Sequence, residues 1–359
     1  MKTGILTFHR ADNCGAVLQC YALQEALRKL GHEVSVIDYR QPYIESFYSW
    51  RFSPRPVSTF LSRMWHMLER KKSFSRFRSS CLRVSERCPT LDFPDCDAYV
   101  IGSDQVWSEE CTKEFDDVYY GEFRRRQGAR VIGYSVSCPV KSVERRGRER
   151  LEELLRNFHR LSFREKDVRD RVREITGFQG DVTLDPTLLH DMKFWESLSS
   201  GLRKTGRREY ASKNNKKGCV VVYLYKYRLT KKALEDVMAG SMEIARRLDT
   251  EVVDLSDKIR DPLRFLDEIR GAAYVVTNSF HAEVFSLIFR KDFSVITSGD
   301  ALDTRCEELA RNLDCGKVLA KASELSFCGP LDYASIERRL GNLRECSIGY
   351  LTEGLSKWE

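Results

Sequence analysis

Nowhere does the 359-residue sequence offer the roughly 18 consecutive apolar residues that a membrane-spanning helix needs. It has no internal repeat and no low-complexity tract, and its 42% hydrophobic and 11% aromatic content excludes a disordered chain. The apolar run in Met1–Arg10 is too short for the centre of a secretory signal, so a cytoplasmic location is expected. No two of the twelve cysteines stand at the two-residue spacing of zinc or redox sites, and free thiols acting as small hydrophobes are expected. Neither Gly-x-Gly-x-x-Gly nor Walker spacing occurs after the first apolar run, so a dinucleotide or nucleoside-triphosphate site has no support.

Positive charge is present, and it is concentrated. The net charge is +7, yet residues 51–87 alone hold ten Lys and Arg against Glu69 and Glu86, a balance of +8. Within them Val57, Phe60, Leu61, Met64, Trp65 and Leu68 recur at helical spacing, followed by Lys and Arg with Phe74 and Phe77 interleaved. Two readings stand: a helix on an anionic membrane surface, or a helix docked on its own domain with a solvated basic face. No nucleic-acid motif accompanies the charge.

Apolar runs and amphipathic stretches alternate along the chain. Strands are expected at Gly4–Phe8, Val34–Ile37, Ala98–Ile101, Arg130–Ser135, Leu161–Phe163 and Val182–Leu184, with a helix from Ala16 to Leu30 stopped by Gly31. After a polar, basic stretch at 201–217 a second set begins: strands at Cys219–Tyr225, Val252–Leu255 and Tyr274–Val276, and helices from Asp261-Pro262 to Gly271 and from Phe280 to Phe289. The fold expected is α/β, with two Rossmann-like domains facing a cleft, over 1–195 and 215–340, and a C-terminal segment 341–359 that packs back on the N-terminal domain by analogy with that fold. Ligands then bind beyond the carboxyl ends of the strands.

Four segments stand at such ends. In the first, Thr277-Asn278-Ser279 leads from a strand into a helix with His281 in its first turn, where an anion is favoured and a histidine can move a proton. The plainer reading is a capping Ser279 and a packed His281. In the second, Arg164 ends a buried strand and suits a carboxylate or phosphate, against the alternative of an ion pair with Glu165 or Asp185. In the third, Gly102-Ser103-Asp104-Gln105-Val-Trp107 puts Ser103, Asp104, Gln105 and an exposed Trp107 where a sugar could lie, against a turn with a buried Trp. The fourth is the loop His9–Gly15, with Asn13 and Gly15. Asp95-Cys-Asp97 looks like a metal motif but falls before its strand, on the wrong side of the sheet.

Together these landmarks resemble the polysaccharide pyruvyl transferase family: Asn13-x-Gly15-Ala-Val-Leu-Gln19-x-Tyr21-Ala-Leu-Gln24, Ile37-Asp-Tyr-Arg40, Gly102–Trp107, Ser162-x-Arg164-Glu165, Leu184–Leu188 and Asn278-Ser-Phe-His281. The resemblance implies a fold similar to the glycosyltransferase-B arrangement. It also implies transfer of pyruvate from phosphoenolpyruvate to a sugar of a surface polysaccharide, often on an undecaprenyl-type lipid-linked intermediate at the inner face of the plasma membrane. Donor contact then falls to Arg164, Asn278 and Ser279, proton transfer to His281, and acceptor contact to Asn13, Gly15, Ser103, Asp104, Gln105 and Trp107. Many members carry Arg where this chain has Ser279, and Arg305 or Lys226 could supply that charge. No metal or other cofactor is expected. Two rival readings are a nucleotide-sugar glycosyltransferase of the same fold and a non-catalytic subunit of a polysaccharide assembly complex.

Overall fold

Runs of β-branched residues can be buried on both faces only where helices cover both sides of a parallel sheet, and the computed structural model contains two such sheets. It describes residues 1–48, 57–88, 91–203, 218–256 and 258–356, with the backbone alone at 48, 57–63 and 201–203. The chain divides into a unit of Met1–Leu189 with Leu343–Glu359 and a unit of His190–Asn342.

The first unit holds β1 (Lys2–Leu6), β2 (Glu33–Asp38), β3 (Val84–Arg87), β4 (Ala98–Asp104), β5 (Arg130–Val136), β6 (Arg160–Phe163) and β7 (Asp181–Val182). Among the described residues they form one sheet of order β3-β2-β1-β4-β5-β6-β7, with every pair parallel. That is Rossmann order with an added edge strand. Helix α1 (Cys14–Lys29) starts where the Asn13 side chain accepts from the Ala16 N–H at 3.2 Å, and Gly31 beyond its end takes φ +86°. Gly102 also has a conformational reason. Its φ is +106°, and a Cβ there would run into the Tyr134 carbonyl.

The second unit holds β8 (Val220–Tyr223), β9 (Val252–Asp254), β10 (Tyr274–Thr277), β11 (Asp292–Thr297) and β12 (Leu319–Lys321), in order β12-β11-β10-β8-β9, again parallel. Counted within the unit this is the 2-1-3-4-5 doubly wound order, whose switch point lies between β8 and β10. In the first unit the switch point lies between β1 and β4.

The basic segment contains α2 (Val57–Cys81). Its inner face is anchored: Phe74 and Phe77 are 1% exposed, Phe77 meets Tyr21 edge-on, and Arg70 and Arg78 hold the carbonyl and carboxylate of Asp12. The two phenylalanines therefore do not share an outward surface with the basic residues, because the packing of α2 on its own unit needs them. Residues 51–56 lie outside the described residues, as do 204–217 of the polar stretch, whose first residues finish a helix (Met192–Arg203).

In the second unit Asp261 caps α3 (Pro262–Gly271) through the Leu263 and Arg264 N–H groups. Helices α4 (Phe280–Ile288) and α5 (Thr304–Asn312) follow β10 and β11. Helix α6 (Tyr333–Leu355) begins in the second unit and ends in the first, where Ser347 Oγ accepts from the Leu184 N–H and Tyr350 donates to the Gly133 carbonyl. β7 stops at Val182 rather than running to Leu184, whose N–H is taken by Ser347.

Candidate functional site

The switch point of the second unit is built from two strand ends stitched together. The Tyr225 N–H donates to Asn278 Oδ1 at 2.7 Å, and Asn278 Nδ2 donates to the Tyr225 carbonyl at 3.3 Å. Arg228, which sequence patterning does not single out, donates to the Asn278 carbonyl at 2.9 Å and pairs with Asp300 and Asp303, both at 2.6 Å. Asn278 is thus occupied with main chain, and its place is to brace the turn rather than to offer its amide to a ligand. Ser279 holds the N-cap position without a side-chain cap bond. The capping role considered for its hydroxyl is not what the structure contains.

His281 stands in the first turn of α4, 7% exposed, with its ring 5.3 Å from that of Phe280. Arg305, from the first turn of α5, lies over the other participant: its guanidinium is 5.7 Å from the Phe280 centroid. Lys226 forms an ion pair with Asp254 at 3.0 Å. Arg305 has no carboxylate within ion-pair distance among the described residues. Of the two cations that could replace the family arginine, Lys226 is already partnered and Arg305 is not.

Glu283, one turn into α4, is fully buried, and burial pushes its carboxyl up to about 8 against the pull of the Cys306 thiol and of Arg305. A sequence signal for it exists: an acid within Ala282–Phe289, a run otherwise apolar save for Ser286.

In the first unit, loops from β1 and β4 meet at the other switch point, where the Thr7 hydroxyl donates to the Ser103 carbonyl and takes a bond from Gln19 Nε2. Arg164 is buried, paired with Asp185 at 2.7 Å, and its guanidinium also reaches the Ser103 hydroxyl. Asp185 in turn holds the Thr187 N–H. The ion-pair alternative weighed for Arg164 is therefore present, and it fixes the direction of the guanidinium. Ser103 is fully buried and donates to the Ser135 carbonyl at 3.1 Å.

Trp107 departs from expectation. It is 1% exposed, donates to the Tyr119 carbonyl at 2.8 Å and stacks on Tyr120 at 4.3 Å. The indole fills the core under the loop because only there can its ring and N–H both be satisfied, so it presents no face to a sugar. Gly15 is buried within α1 and Asn13 caps that helix. Asp104 and Gln105 stay partly exposed at the end of β4. The Ile37–Arg40 landmark closes a second buried cluster. Arg10 and Arg40 bond the Asp38 carboxylate, and His9 shares it at 3.1 Å. Asp97, the metal-like decoy, accepts from the Lys2 N–H at 2.7 Å and pairs with Arg126.

Among the described residues no helix is long and apolar enough to cross a membrane, and no group of three or more His, Cys, Asp or Glu could hold a metal ion.

Comparison with known proteins gives one family: a model described as polysaccharide pyruvyl transferase matches residues 13–300. No curated protein sequence matches the chain. Solved structures similar to it include S. aureus MnaA with UDP, at 11% identity over 100% of both chains and TM-score 0.47. A UDP-GlcNAc 2-epimerase from Neisseria meningitidis bound to UDP-GlcNAc is 10% identical over 99% of this chain and 95% of that one, at TM-score 0.49. The glycosyltransferase SnogD from Streptomyces nogalater is 13% identical over 97% and 95%, at TM-score 0.38.

Proposed function

Because the chain belongs to the polysaccharide pyruvyl transferase family, we propose that it moves pyruvate from phosphoenolpyruvate to a sugar of a lipid-linked polysaccharide precursor as a cyclic ketal. The observation that carries this reading is His281 at the start of α4, with Arg305 over the ring of the adjoining Phe280, a cation with no carboxylate within ion-pair distance among the described residues. Phosphoenolpyruvate carries roughly three negative charges near neutral pH. The Arg305 guanidinium suits its phosphate or carboxylate. The family resemblance also assigns anion contact to Arg164, whose guanidinium Asp185 holds in direction within the first unit.

In the reaction His281 gives a proton to the methylene carbon, which becomes the methyl group, and the central carbon turns electrophilic. A sugar hydroxyl oxygen adds there and gives up its proton, the bond between the central carbon and the bridging phosphate oxygen breaks, and inorganic phosphate leaves. A second sugar hydroxyl closes the ketal, and its proton departs. The carboxylate stays on the product. This chemistry calls for no metal or redox cofactor. On the acceptor side Asp104 and Gln105 are the candidates with exposed atoms.

The proposal extends to an anionic membrane surface as the meeting place with a lipid-linked acceptor. Trp65 and Leu68 on α2 are 61% and 59% exposed, and Lys71, Lys72 and Arg76 are exposed beside them.

The test is phosphate release from phosphoenolpyruvate offered with galactose- and N-acetylmannosamine-containing lipid-linked acceptors. Release that depends on one acceptor supports the reading and names the sugar. A melting shift with UDP or GDP sugars, and none with phosphoenolpyruvate, would replace it with sugar transfer.

A further inference from the structure

Glu283 has no part in the scheme above, yet its surroundings are costly. Its side chain is fully buried, and among the described residues no N–H or O–H group reaches either carboxyl oxygen. A buried carboxylate with no donor but a weak thiol is so unfavourable that the group takes up a proton instead. The cation that acts on Glu283 is Arg305, through space and without forming an ion pair, and the Cys306 thiol is its weak donor. So a buried acid on the helix that presents His281 acts on the guanidinium assigned to the donor.

We propose that Glu283 is a positioning residue for Arg305: as a neutral acid it leaves the guanidinium uncompensated for the anionic donor, and as a carboxylate it competes for that charge. The proposal rests on the donor reading above. Its consequence is a linkage, because whatever binds to Arg305 more tightly when Glu283 is neutral must also favour protonated Glu283.

Three groups from outside α4 interact with Glu283. Arg305 and Cys306 come from α5, and Cys315 from the turn that follows it. Burial lifts the Cys306 thiol well above its ordinary value and the Cys315 thiol to about 12, while Asp303, which acts on Cys306, is tied to Arg228. His281 is the titratable neighbour on α4 itself, and α3, β10 and β11, which also pack on α4, add no charged group that acts on Glu283. With the Glu283 carboxyl near 8, the site passes from neutral-acid to carboxylate form between pH 7 and 9.

Calorimetric titration of the full chain with phosphoenolpyruvate at pH 7 and pH 9 tests this. One proton linked to binding weakens affinity by about 10-fold over that interval, and Glu283→Gln is expected to lose most of the pH dependence while still binding. A readout on the unaltered protein stands beside it. In two buffers of different ionisation enthalpy at pH 9, wild type takes up close to one proton per donor bound. Wild-type affinity that does not change with pH, proton uptake near zero, or a Glu283→Gln profile equal to wild type overturns the proposal and leaves the donor reading standing. Phosphoenolpyruvate that binds at neither pH overturns both.

Discussion

His281 and Trp107 show how differently two conspicuous side chains at strand ends can be used. His281 sits where a helix begins, and its removal is expected to lower acceptor-dependent phosphate release by ~10²–10⁴, the span of losing a general acid. Near-normal release by His281→Ala would take His281 out of the chemistry. Arg164→Ala is expected to lose ~10²–10³ in turnover. It should also lower the melting temperature, since Asp185 is left as a buried charge without its partner. Arg164→Lys, which keeps a charge for Asp185, should regain stability while turnover stays low, because lysine lacks the planar fork. Trp107→Ala should act on folding instead: truncation of a fully buried Trp costs about 3–5 kcal/mol, read by chemical denaturation. A variant with unaltered stability and altered acceptor preference would restore the indole to the sugar site.

At the scale of elements, α2 has two faces with different tasks. Phe74, Phe77, Arg70 and Arg78 fix it to the first unit, and the arginines do so through Asp12 in the loop after β1. The opposite face carries Trp65, Leu68, Lys71, Lys72 and Arg76. Flotation with phosphatidylglycerol-containing vesicles is expected to recover wild type at low salt. Replacing Lys71, Lys72 and Arg76 together with Ala should abolish recovery, at roughly 1 kcal/mol per basic residue lost. Equal recovery with neutral phosphatidylcholine vesicles, or no effect of the triple change, would argue for a solvated basic face. Helix α4 likewise has two ends of different character: an N-terminal turn with His281 and Glu283, and a C-terminal half of Val284, Phe285, Leu287 and Ile288 in the core.

For the whole molecule, stability against pH is set by buried ionisable groups of opposite sign. Burial raises the Asp38 carboxyl, but the bonds from His9, Arg10 and Arg40 outweigh it and hold the group well below the ordinary 3.8. Its contribution is present above that value and is lost as pH falls below it. His9 is lowered chiefly by burial, so the folded chain binds fewer protons there and stability rises with pH around 6.5. Glu283 works the other way. Its carboxyl is near 8 when folded and near 4.5 when exposed, so stability declines as pH rises between those values. Comparison with Glu283→Gln isolates that contribution. The melting temperature of the variant should gain on wild type from pH 5 to pH 8, and a difference constant with pH would mean that Glu283 is ionised throughout.

The sequence by itself determined the alternation of strand and helix. Runs such as Val220-Val-Val and Tyr274-Val-Val can only be interior strands, and Asp261-Pro262 and the Asn13 cap mark helix starts through local hydrogen bonds. The family was legible for a similar reason, since its landmarks are contiguous and lie at strand ends, where main-chain direction already decides which residues can meet a ligand. Edge strands β3 and β12 were not legible, because short strands with one neighbour carry little apolar signal. Only the tertiary structure decided which polar groups are spent on one another: Asp185 on Arg164, Asp254 on Lys226, Asp300 and Asp303 on Arg228, and none on Arg305 within ion-pair distance among the described residues. It also turned Trp107 inward and buried Glu283. Burial and charge pairing are relations between residues distant in sequence, and spacing along a chain carries no record of them.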